Sequence, residues 1–162
     1  MDVVVRGAGV EDAADVARIY VESWNAGFGH LLHTRTLGDD DRVRWRRALA
    51  DGVVTWQVAE RGGVVVGFVG TGPSRDPADG DLGELDTIAV DPGHWRSGVG
   101  SALMAAALAD LRAAGYPRAV LWTVAGYERG LAFYTQAGWV LTGAVRDDGH
   151  QVALALDLAP QM

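Results

Sequence analysis

Residues 83–104 read GELDTIAVDPGHWRSGVGSALM. A strand-like run over 84–90 meets the Asp91-Pro92 break and passes a loop holding Gly98-Val99-Gly100. It then enters an apolar, helix-like run over 98–114, closed by Gly115. The first turn of a helix leaves backbone N–H groups without partners and carries the positive end of the dipole. Glycine lets a bulky anion come close to the backbone. The stretch therefore reads as a cradle for a phosphate-like anion, or as an ordinary tight turn into a helix. Two specific cradles are excluded. A dinucleotide fingerprint needs a glycine where Leu103 stands, and a P-loop needs a lysine in a chain that has none.

Outward from this stretch the pattern alternates between strand and helix. Val3 to Val5 form a short strand, and Glu11 and Asp12 open a helix carrying Val16, Ile19, Tyr20 and Trp24 at helical spacing. A loop, NAGFGHLLHTRTLGDDD (25–41), ends in three aspartates that suit the positive start of a second helix through Trp45 and Leu49. Residues 53–60 and 64–70 read as strands joined by Arg61-Gly62-Gly63, and 71–81 as a loop of Pro, Gly and Asp. Beyond the central helix come a strand at 118–124, a helix at 128–137, and a closing hairpin of 139–146 and 151–157. The order predicts an α/β (α+β) fold, with a mostly antiparallel sheet and one strand–helix–strand crossover. Strict alternation along 84–90 places Glu84, Asp86, Ile88 and Val90 on one face.

Composition narrows the partners. The 162 residues suit one domain spanning 1–162, and 49% apolar with 22% charged residues is ordinary for a globular protein. The net charge of −7 argues against nucleic acid. No apolar run is long enough to span a bilayer, and the start lacks the pattern of a signal peptide, so a cytoplasmic location is expected. Without cysteine there is no disulfide, thiolate nucleophile or thiolate metal site. His30 and His33, in HLLH, have no third ligand at a recognisable spacing, so no metal is expected.

Three stretches, in order along the chain, resemble the GNAT N-acetyltransferase superfamily. VRGAGVEDAADVARIYVESWNAGF resembles its Arg…Asp…Ser-Trp opening. GELDTIAVDPGHWRSGVGSALM is similar to its acetyl-CoA-binding strand, loop and helix. YERGLAFYTQAGW (127–139) is similar to its Asn-x-x-Ala-x-x-Phe-Tyr-x-x-x-Gly-Phe segment. Two departures stand out. Trp95 occupies the usual Arg/Gln position of the loop, and Tyr127 and Gly130 occupy the Asn and Ala positions of the later segment.

The resemblance implies a GNAT fold with four helices and a splayed pair of central strands, and acetyl transfer from acetyl-CoA to an amine. The loop residues Trp95, Arg96, Ser97, Gly98, Val99, Gly100 and Ser101 would hold the pyrophosphate. Backbone groups of Ile88, Ala89 and Val90 would pair with the pantetheine, with Tyr127 and Tyr134 also at the donor. Tyr134 matches the tyrosine that protonates the departing thiolate, and on its own spacing it also reads as a core aromatic beside Leu131 and Phe133. Glu84 is the candidate base, with Asp86 in reserve; either also reads as a solvated carboxylate at a strand end. The acceptor side would include Trp24, Phe28, His30, His33 and Asp86, which otherwise read as packing over the sheet.

The leading reading is an N-acetyltransferase that works by direct attack in a ternary complex, since no cysteine can carry a covalent acetyl group. The amine belongs to a small molecule or a peptide. The alternative is a non-catalytic CoA-binding sensor or interaction module of the same fold. The sequence leaves the oligomeric state open, with the final hairpin as a candidate interface for a homodimer.

Overall fold

The computed structural model describes residues 2–75 and 78–159, with the backbone alone at Ala78. Its elements are β1 (Val3–Gly7), α1 (Ala13–Phe28), α2 (Asp39–Ala50), β2 (Thr55–Arg61), β3 (Val64–Arg75) and β4 (Ala78–Val90). They continue as α3 (Val99–Ala113), β5 (Arg118–Val124), α4 (Glu128–Gln136), β6 (Val140–Arg146) and β7 (Gln151–Asp157). The strands form one sheet in the order β1-β2-β3-β4-β5-β7-β6. Every neighbouring pair is antiparallel except β4 and β5, which run parallel because α3 carries the chain back between them.

Each face of the sheet carries its own core. Leu103, Ala107 and Leu111 of α3 pack on Val66, Val69, Leu85 and Leu121. On the opposite face, Val16 and Ile19 of α1 and Trp45 of α2 cover Val58, Val65 and Phe68. Among the described residues, no helix is long and apolar enough to cross a membrane.

The parallel pair is short. β4 and β5 are joined only at Leu82–Arg118, Gly83–Ala119 and Glu84–Val120, after which they part. Residues 85–90 thus face a gap instead of a strand, which gives the splayed pair expected of this fold.

Several local features differ from the sequence reading, among them residues 25–28, expected as loop, which complete α1. Residues 71–75 and 78–81, expected as loop, extend β3 and β4 into a long hairpin with Ser74 opposite Asp79; residues 76 and 77 lie outside the described residues. Pro73 is tolerated because it adjoins a register shift, and Gly83 marks a close approach, since a Cβ there would lie 2.8 Å from Leu111. At the N-terminus, α1 begins at Ala13 after a 3₁₀ turn, because the Asp12 carboxylate is taken by Arg6 and the Gly9 N–H. Asp39 to Asp41 lie inside the first turn of α2, where Asp41 accepts from the Gly38 N–H at 2.9 Å.

A further difference bears on function. Gly70 pairs with Thr87 and Thr71 with Leu85, so Asp86 is an extra residue in β4. This bulge breaks the alternation. Leu85 joins Ile88 and Val90 in the α3 core, while Ala89 packs in the α1 core. Glu84, one residue before Leu85, is therefore on the α1 face and does not share a face with Ile88 and Val90.

Candidate active site

Where β4 and β5 separate, the gap opens into a cleft of about 540 Å³. Its floor is Ile88, Ala89 and Val90 of β4, and its walls are the loop before α3 and one face of α4. The Asp91 N–H donates to the Val66 carbonyl at 2.8 Å and so faces β3. By alternation, the N–H and C=O groups of Val90 and Ile88 face the gap. One of them is already taken: Trp95 Nε1 donates to the Val90 carbonyl at 2.8 Å.

The loop itself turns through two left-handed residues, Arg96 (φ 59°) and Gly98 (φ 91°). Glycine adopts that backbone freely and arginine only under constraint. Arg61 supplies the constraint by donating to the Ser97 hydroxyl at 2.9 Å and to the Ser97 carbonyl at 2.8 Å. The backbone N–H groups from Arg96 to Ser101 find no acceptor among the described residues. Four of these residues, Arg96, Gly98, Gly100 and Ser101, thus line the cleft at the start of α3, together with Arg129. In a chain of net charge −7, two arginines and the positive end of a helix are gathered at this end of the cleft.

Of the residues expected to bind the donor, Ile88, Ala89, Val90, Trp95, Arg96, Gly98, Gly100, Ser101, Tyr127 and Tyr134 line this cleft. Ser97 and Val99 do not. The Ser97 side chain is turned toward Arg61 and the His94 carbonyl, and Val99 is fully buried in the α3 core. Tyr134 is partly buried, and its hydroxyl has no hydrogen-bond partner among the described residues. Desolvation, with the neighbouring Tyr127, pushes its pKa well above that of a free tyrosine.

Glu84 is the last β4 residue paired with β5, at the apex of the gap. Burial holds its carboxyl above the ordinary carboxylate range; the N–H of Arg75, donating at 3.0 Å, pulls the other way, and the charge of Asp86 adds to the rise. Asp86 is ion-paired to Arg75 and accepts from the Thr87 hydroxyl. These two carboxylates therefore share Arg75 beside the α1 face, outside the cleft lining.

The acceptor-side residues are divided. Phe28 lines the cleft, while Trp24 meets Phe28 edge-on, lies tilted against the His33 ring and donates to the His33 carbonyl at 2.8 Å. His30 is exposed in the turn after α1. Ser23, His94, Arg129 and Phe133 also line the cleft. The sequence reading passed over them, although Arg129 and Phe133 sit at helical spacing on α4. Arg129 lies 3.9 Å over the Trp95 ring, a contact no spacing rule announces.

The sequence profile of the Acetyltransferase (GNAT) family matches residues 13–139. The chain belongs to that family. Among curated proteins it is 29% identical over 126 residues to the uncharacterized N-acetyltransferase YuaI of Bacillus subtilis (strain 168), covering 75% of this chain and 72% of the relative. Among solved GNAT structures, YncA from Salmonella typhimurium with its cofactor acetyl-CoA superposes with a TM-score of 0.77 at 22% identity, covering 100% and 97% of the two chains. The PaiA N-acetyltransferase of Thermoplasma acidophilum, in complex with coenzyme A, gives 0.76 at 15% identity, covering 97% and 99%. At these identities the structures establish the GNAT fold, and family membership makes the chain an enzyme of the N-acetyltransferase class.

Proposed function

We propose that this chain transfers an acetyl group from acetyl-CoA to a primary amine of a small molecule or peptide, by direct attack in a ternary complex. The observation that carries the reading is the junction of two features in one cleft. One end presents unpartnered amides with two arginines, and the splayed β4 edge presents free backbone groups. A pyrophosphate joined to an amide-bearing arm fits both ends at once, and free phosphate fits only the first.

When bound, acetyl-CoA supplies a thioester whose carbonyl carbon is attacked and whose thiolate leaves. The amides of Arg96 to Ser101 hold the pyrophosphate, and the free N–H and C=O of Ile88, with the N–H of Val90, orient the arm. Glu84, at the apex of the gap, takes the proton from the incoming amine, and its raised pKa keeps it basic enough to do so near neutrality. Tyr134, held protonated by its desolvated setting, delivers a proton to the departing sulfur. Asp86, neutralised by Arg75, positions that arginine instead of acting as the base. The exposed Val140, Leu141 and Val145 of edge strand β6 support a pair of copies in solution.

A panel of amines and peptides incubated with acetyl-CoA, read by released thiol, tests the activity. Turnover with any amine supports it. Stabilisation by acetyl-CoA without turnover on any amine would favour the non-catalytic reading, and no stabilisation at all would end the donor assignment.

A further inference from the structure

Gly27 lies in the last turns of α1 and Gly130 in α4, where glycine is the poorest helix former after proline. Both face the same side chain. A Cβ at Gly130 would lie 2.5 Å from Cδ2 of Tyr127, and one at Gly27 would lie 3.1 Å from its hydroxyl oxygen. Tyr127 therefore reaches from the start of α4 to α1, its ring seated on one glycine and its tip on the other. Phe28 braces it edge-on, with ring centroids 4.8 Å apart. Tyr127 and Phe28 both line the cleft, and the Tyr127 hydroxyl has no hydrogen-bond partner among the described residues.

We infer that Tyr127, seated on Gly130 and Gly27, is a clasp that closes the cleft over the arm of the donor and positions it. The inference rests on the donor reading above. It explains why Tyr127 and Gly130 both depart from the Asn and Ala of the resembling segment. The larger ring at 127 fills the volume that a Cβ at 130 would need, so the two positions change together. Tyr127 touches the arm, away from the reacting carbonyl, so it acts on binding and not on the bond-making step.

The test is a double-mutant cycle on Gly130→Ala and Tyr127→Asn, read by calorimetric Kd for CoA and by KM and kcat with acetyl-CoA. In the wild-type background, Gly130→Ala displaces the ring and weakens CoA binding about tenfold, with KM following and kcat holding within about twofold. In the Tyr127→Asn background the same change leaves Kd within about twofold, because nothing remains for the new methyl to strike. Gly27→Ala, which presses only on the tip, gives a smaller loss in the wild type and none beside Tyr127→Asn, and it decides the matter if Gly130→Ala does not fold. Equal losses in both backgrounds, in a wild-type chain that binds CoA, overturn the clasp alone. A wild-type chain that does not bind CoA overturns the donor reading and the clasp together.

Discussion

The indole N–H of Trp95 donates to the carbonyl of Val90 across 2.8 Å, at the last residue of β4 before the chain turns into the loop. The same ring lies 3.9 Å beneath the Arg129 guanidinium, so one side chain ties strand, loop and α4 together. Trp95→Phe keeps an aromatic ring beneath Arg129 and removes the donor. A hydrogen bond of this kind contributes about 1 kcal/mol, so acetyl-CoA binding is expected to weaken about fivefold. The effect falls on KM for the donor with kcat unchanged, and steady-state kinetics at saturating amine separates the two.

Glu84 carries a prediction in which stability and activity move in opposite directions. Its carboxyl is raised above the ordinary range, chiefly by burial. A raised carboxylate favours the fold below its unfolded pKa, and that contribution is lost as pH rises through the folded value. At neutral pH the ionised Glu84 is therefore a destabilising group, and Glu84→Gln should raise the melting temperature there. The gain should vanish once the pH falls below the ordinary carboxylate range. The same variant should lower kcat by about 10²-fold and remove the acidic limb of the pH–rate profile. Thermal melts across pH, run beside that profile, check both halves.

Some of this was legible in the sequence, and the reasons differ by element. β5 and β7 match their sequence spans because near-continuous apolar runs are bounded there by Pro117, Gly149 and a polar end. The anion loop was legible because its glycines, its proline and its place before a helix are local facts. The hairpin of β3 and β4 was not, because Gly72, Pro73 and Gly83 look like turn residues. Their roles are set by a register shift and by the nearness of Leu111 and Tyr116. The bulge at Asp86 was hidden for the same reason: it exists only relative to the partner strand, and it alone decides that Glu84 and Ile88 face opposite ways. Tyr127 and Gly130 read as two unrelated departures until their contact joined them.

Arg6 and Asp12 give a prediction about the fold alone. Arg6 meets both oxygens of Asp12 at 2.9 Å and Glu60 at 2.7 Å, and Asp12 is only 4% exposed. Arg6→Ala leaves that carboxylate buried with the Gly9 N–H as its remaining partner. Because Arg6 is itself partly exposed, the cost is taken as about 2 kcal/mol, below that of a fully buried pair. The melting temperature should fall by about 6 °C for a chain of this size. The hydrogen bonds from Arg6 hold the Asp12 pKa below its ordinary value, so their contribution is present above the carboxylate range and is lost as pH falls. The difference between wild type and variant should therefore shrink in acid.

Tyr134 separates proton delivery from simple packing. Its ring lies against the α3 core, and its hydroxyl opens to the cleft without a partner among the described residues. Tyr134→Phe keeps the ring and its contacts, so the melting temperature should stay within about a degree or rise, since a desolvated hydroxyl is removed. If the phenol protonates the leaving thiolate, kcat should drop by about 10²-fold while the Kd for CoA changes little. The raised pKa adds a second signature. A phenol that stays protonated through neutral pH leaves the basic limb of the wild-type profile flat until well into alkali, and the variant should show no basic limb from this group at all. A donor with a more acidic thiol needs less help, so the penalty should narrow with such a thioester. An equal loss with both donors, or a loss confined to KM, would make Tyr134 a packing residue and return the proton to water.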